Sequence, residues 1–136
     1  QPCPWCIAQR ILYLLCGALA ILAALPPVRS SAGRIIATLF SAAGIVAAGG
    51  ALVTALYQHF VAAASGSCAI TAADRFLTET GLAEWLPEVF ESRASCAEAD
   101  QALIGLPYSI WSAILAVILL MLGGLALRAL WRSRVR

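Results

Sequence analysis
The chain contains no lysine, a single histidine and a single methionine. Only 12% of its 136 residues are charged, against roughly 25% in an ordinary soluble domain. So little charge excludes a solvated surface large enough to enclose the rest. Hydrophobic residues make up 62% of the chain and the mean hydropathy is +0.88. A soluble core of this size cannot bury that much apolar surface, so the bilayer is the expected solvent. The formal charge of +2 is too small to point to nucleic acid, and the cations are scattered arginines with no RNA- or DNA-reading pattern. Strands and βαβ units are also missing, which excludes a thioredoxin fold. The chain opens on Gln1 and shows no n-region, h-region and cleavage site of a signal peptide. It therefore reads as beginning inside a longer natural protein.

What is present is three apolar segments. Ile7 to Leu25, "IAQRILYLLCGALAILAAL", carries one charge, Arg10. Ile35 to Tyr57, "IIATLFSAAGIVAAGGALVTALY", carries none, and neither does Tyr108 to Leu127, "YSIWSAILAVILLMLGGLAL". A hydrocarbon core of roughly 30 Å needs about 20 helical residues, and a helix satisfies its own backbone there. The expected fold is an all-α membrane protein. A single domain over 1–136 would hold transmembrane helices at about 7–25, 35–57 and 108–131, with an outer loop over 58–107. The runs "AAGIVAAGG" and "LGGLAL" suit close helix packing. They suit equally well the general abundance of Ala and Gly in membrane helices.

Charge placement orients the bundle. The short connection "PPVRSSAGR" has Pro26 and Pro27 as stops, followed by Arg29 and Arg34. The tail carries Arg128, Arg132, Arg134 and Arg136. All seven acidic residues lie between Asp74 and Asp100. Positive-inside bias puts the short connection and the tail in the cytoplasm. The 58–107 segment then faces outward, together with the N-terminal end. Within it, "GLAEWLPEVFESR" mixes apolar residues and acids at helical spacing. A surface helix with Trp85 at the interface and a small loop cluster fit this stretch equally well.

That topology places Cys3, Cys6, Cys68 and Cys96 outside, where disulfides form in bacteria. Two pairs are the natural count. Cys68 with Cys96 would close a long loop and stabilise it by roughly 3–4 kcal/mol, a purely structural role. Cys3 with Cys6 restrains little chain, and CxxC pairs are instead typical of exchange-prone thiols. Ile7 follows Cys6, so the c-type haem pattern is absent. A zinc site would need a second CxxC or a histidine pair, which the chain lacks, so no metal is expected. Arg10 lies four residues after Cys6, on the same helix face. It can snorkel to the interface, or it can stabilise a Cys6 thiolate and an anionic acceptor beside it. His59 ends the second segment in "ALYQHF", level with Arg10. It reads as a polar anchor or, with Arg10, as a donor to the carbonyl oxygens of a lipid-soluble quinone. Cys16, in mid-helix, reads as a small buried hydrophobe.

These residues together resemble the DsbB family of bacterial membrane proteins. "CPWCIAQR" is similar to the family's CxxC followed by a Gln/Glu-Arg pair, and "YQHF" at a helix end continues the likeness. The strongest part is "CAITAADRF…EWLPEVFESRASCAEA", with "EWLPEVF" between two cysteines. The likeness covers nearly the whole chain. It departs in one respect: the family has four transmembrane helices, the first of them before the CxxC, and that first helix is not in this sequence. The chain is then a portion of a longer protein, or its bundle lacks one wall.

The resemblance implies a quinone-dependent thiol-disulfide oxidoreductase of the bacterial inner membrane. It would reoxidise a periplasmic DsbA-like dithiol protein and pass the electrons to ubiquinone or menaquinone. Cys3 and Cys6 would be the quinone-coupled pair. Cys68 and Cys96 would face the DsbA-like partner, with Cys68 forming the mixed disulfide. Arg10 and His59 would contact the quinone. Two other readings are a reductive carrier or quinone reductase resembling vitamin K epoxide reductase, and a non-catalytic membrane scaffold with structural disulfides.

Overall fold
In the computed structural model, residues 4–62, 75, 79–81, 84 and 102–132 are described. Three long helices dominate. α1 runs Pro4–Ala24, α2 runs Ser31–Tyr57 and α3 runs Tyr108–Arg132. All three are long and apolar enough to cross a membrane, and the protein is an all-α multi-pass membrane bundle. A π-turn, Gln58–Ala62, continues α2. Helical backbone therefore reaches past Tyr57, where the apolar run alone would end it. Strands β1, Ala102–Leu103, and β2, Leu106–Pro107, form a minimal hairpin leading into α3.

Local chemistry explains the ends. Proline suits the first helical position, because the N–H it lacks would have no partner there, and Pro4 opens α1. Pro26 and Pro27 follow its end at Ala24. Ser30 caps α2, its side chain accepting from the Gly33 N–H at 3.0 Å. A side chain at Gly33 would run into the Pro27 carbonyl oxygen, so glycine is required for the chain to turn this tightly. The hairpin turn holds Ile104 at φ 55 and Gly105 at φ 82. Glycine tolerates that region, whereas a β-branched residue is strained there.

α2 is the central helix and packs along both others. It is antiparallel to α1, with Gly50 against Leu12 and Gly44 against Leu19. On its other side Gly123 of α3 meets Ile45, and an added Cβ would lie 2.8 Å from the isoleucine Cγ1. The buried residues of α2 are Gly33, Ala37, Ala47, Ala48, Ala51 and Ala55, a small-residue stripe at helical spacing. In lipid no hydrophobic force drives helices together, so close backbone approach and hydrogen bonds must hold them. Large apolar side chains such as Leu14, Ile21, Leu39, Val46, Val53 and Leu125 point outward instead.

Candidate functional site
The start of α1, the end of α2 and the start of α3 meet at one end of the bundle. Into that junction the helices send their buried polar side chains. Gln9, Gln58, Ser109 and Ser112 are all buried, Gln58 and Ser109 completely. An unbonded amide or hydroxyl in such a place is costly, and these groups are bonded to one another.

Cys6 lies in the first turn of α1 and is 4% exposed. The Gln58 side-chain Nε2 lies 3.3 Å from its sulfur, and Gln58 Oε1 lies 3.7 Å away. Gln9 Nε2 donates to Gln58 Oε1 at 2.7 Å. The Ser112 hydroxyl donates to Gln9 Oε1 at 2.5 Å. The Tyr13 hydroxyl reaches both the Ser112 carbonyl oxygen, at 2.6 Å, and its Oγ, at 2.7 Å. One continuous polar chain thus links all three helices and ends on the sulfur.

Successive helical residues point about 100° apart, so the π-turn sends its first two side chains to different neighbours. Gln58 reaches Cys6 on α1, while His59 Nδ1 lies 3.1 Å from Ser109 Oγ on α3. π-turns inside helices are frequent at functional sites. Arg10 is half-buried, one turn below Cys6. Trp5 stacks at a tilt on Tyr57, with ring centroids 4.9 Å apart. Its indole N–H is buried and has no hydrogen-bond partner among the described residues.

Chemically, three features of the junction would meet a negative charge on the sulfur. Cys6 sits at the positive end of a helix dipole, with an amide donor in reach and a guanidinium on the next turn. Of the residues expected from sequence to carry function, the structure brings Cys6, Arg10 and His59 to this end of the bundle. Cys3, Cys68 and Cys96 lie outside the described residues, as does the "EWLPEVF" stretch apart from Glu84. Among the described residues no three His, Cys, Asp or Glu side chains gather as a metal set.

Gln58, Tyr13, Ser109 and Ser112 carry no role in the sequence reading, and Gln9 enters it only as part of the Gln-Arg pair, without a role of its own. The available signal was Gln9 itself, an amide set within the first apolar segment. Arg10 beside it drew attention because it is charged. Cys16, expected to be a small buried hydrophobe, is half-buried with its sulfur 3.6 Å from the Gly44 carbonyl oxygen.

Comparison with known proteins gives a consistent picture. A sequence model of the family described as "Disulfide bond formation protein DsbB" matches residues 1–126. A protein of Nitrosomonas europaea named "Disulfide bond formation protein B" is 34% identical over 98% of this chain and 77% of its own length. Its namesake in Ralstonia nicotianae is 33% identical over 88% of this chain and 71% of its own. Another, in Psychrobacter cryohalolentis, is 36% identical over 97% and 73%. No solved structure gives a significant match.

Proposed function
The chain belongs to the DsbB family of disulfide bond formation proteins, and from that premise we propose that it is a thiol:quinone oxidoreductase of the bacterial inner membrane. It reoxidises a periplasmic DsbA-like dithiol protein. The observation that supports this reading most is a cysteine buried at the junction of three apolar helices and bonded to a buried amide. A scaffold cysteine needs no such partner.

The residues present fit a quinone. Its carbonyl oxygens need donors in an apolar setting, and the buried, unpartnered Trp5 N–H is such a donor. Arg10 and His59 are the further candidates to hold it. When bound, a quinone supplies an acceptor for two electrons and two protons.

The protein's own residues do the rest. Cys68 and Cys96 form the disulfide that the reduced partner attacks, Cys68 taking the mixed disulfide. Exchange with Cys3 and Cys6 carries the electron pair to the junction. The Cys6 thiolate is stabilised there by the helix N-terminus and by the Arg10 guanidinium. The end bearing Arg29, Arg34, Arg128 and Arg132 faces the cytoplasm, and Cys3, Cys6, Cys68 and Cys96 face the periplasm.

The test is quinone reduction by a reduced DsbA-like protein, with this chain in membranes or detergent. Turnover is expected in the native chain and absent in Cys6→Ser and Cys68→Ser. Normal turnover in Cys6→Ser would reject the assignment. Arg10→Ala should raise the quinone concentration needed and leave the affinity for the dithiol partner unchanged. The opposite split would remove Arg10 from the quinone site.

A further inference from the structure
The polar chain that ends on Cys6 has a direction. Ser112 donates to Gln9 Oε1, Gln9 Nε2 donates to Gln58 Oε1, and this leaves Gln58 Nε2 facing the sulfur. Turning either amide alone would set N–H against N–H, or oxygen against oxygen, in a buried site. Reversing the whole chain requires both amides to turn and Cys6 to act as the donor. In this orientation the sulfur lies 3.3 Å from Nε2 and 3.7 Å from Oε1, to which a protonated Cys6 donates in turn; once the sulfur is a thiolate, only the Nε2 contact is a hydrogen bond. Tyr13 secures the far end by bonding both the hydroxyl and the backbone of Ser112.

We propose that the Tyr13–Ser112–Gln9–Gln58 relay commits the Gln58 amide to donate a hydrogen bond to the Cys6 sulfur, stabilising it whenever it leaves a disulfide as the thiolate. This deepens the reading of Cys6 as a redox cysteine and rests on it. When a disulfide that includes Cys6 is opened, the attacking sulfur forms a new bond with the other cysteine. The old S–S bond breaks, and Cys6 keeps its electron pair. A donor already aimed at that sulfur meets the charge without reorganisation. In surroundings that exclude water its effect is larger than at a surface.

Gln58 touches the reacting atom and is therefore a catalytic residue. Gln9, Ser112 and Tyr13 are positioning residues. They act over sequence separations of 49 residues between Gln9 and Gln58, and 103 between Gln9 and Ser112. If the relay only fastened the helices, breaking it would loosen the bundle without altering the sulfur.

The experiment uses the full chain, reduced and in lipid nanodiscs, reacted with methyl methanethiosulfonate. Modification of Cys6 is followed by mass spectrometry. Gln58→Met should slow the reaction about tenfold and Ser112→Ala about threefold, while Ser112→Thr, which keeps the hydroxyl, should react like the native chain. Simple loosening would admit the reagent and speed the reaction, so the sign separates the two roles. Unchanged or faster modification in both Gln58→Met and Ser112→Ala overturns the proposal. Should Gln58→Met not fold, the contrast between Ser112→Ala and Ser112→Thr decides it. Quinone reduction measured in the same preparations separates the two claims. A native chain that reduces no quinone, but whose Ser112→Ala variant still has a slowed Cys6, retains the relay and loses the proposed function.

Discussion

The two ends of the bundle hold the same three helices together by different means. At the end carrying Cys6, directional bonds run from Tyr13 through Ser112, Gln9 and Gln58 to the sulfur. At the other end the helices surround an apolar groove of about 620 Å³, lined among others by Cys16, Ala20, Phe40, Leu119, Leu122 and Ala126. Four described arginines, Arg29, Arg34, Arg128 and Arg132, border that end. The contrast shows where the chain spends its few buried polar groups. Hydrogen bonds fix which groups meet at the first end, whereas close approach of small apolar residues holds the helices at the second. The end with chemistry is the end held by directional bonds.

That contrast can be broken at its polar end. Gln9→Leu removes both an acceptor for Ser112 and a donor to Gln58, leaving the Ser112 hydroxyl with Tyr13 alone and Gln58 Oε1 with only the long contact to Cys6. It should destabilise the bundle by about 2 kcal/mol, the upper range for interhelical bonds in membranes. Unfolding in mixed detergent micelles measures this, and a loss below a few tenths would mean the amides find other partners.

A neighbouring pair of glycines tests the apolar contacts in turn. Gly123→Val should cost about 1–2 kcal/mol by driving a side chain against Ile45. Gly124→Ala has nothing within 4 Å of the new methyl and should be near neutral. Equal effects at the two positions would show that α3 is not held in this rotation.

The turn before α3 offers a gain rather than a loss. Ile104 is 87% exposed at positive φ. Ile104→Asn should therefore relieve strain and stabilise by about 1 kcal/mol, read from the same unfolding curve. The smallest change is expected in the apolar groove. Ala23 lines it, and Ala23→Leu should shift stability by less than about 0.5 kcal/mol. A large loss there would show that the groove is as tightly specified as the polar end.

The family was legible in the residues, because "CPWCIAQR", "YQHF" and "EWLPEVF" together resemble it, and the comparisons bear out the family. The all-α membrane class was legible for a simpler reason. Apolar length is a property of one segment, and each segment carries it alone. Gln9 and Gln58 stand inside the quoted motifs, yet their roles could not be read there. Ser112 gave still less warning, as one serine in an apolar run.

Hydropathy, charge and chain order by themselves determined three spans, their alternation and the gathering of every acidic residue into one connection, because each depends only on composition along the chain. The tertiary structure alone decided that Gln58 turns to Cys6 while His59 turns to Ser109, and that Ser112 closes on Gln9 from another helix. A hydrogen bond needs two groups within about 3 Å at a set angle. Only helices already packed in one register and rotation can bring that about.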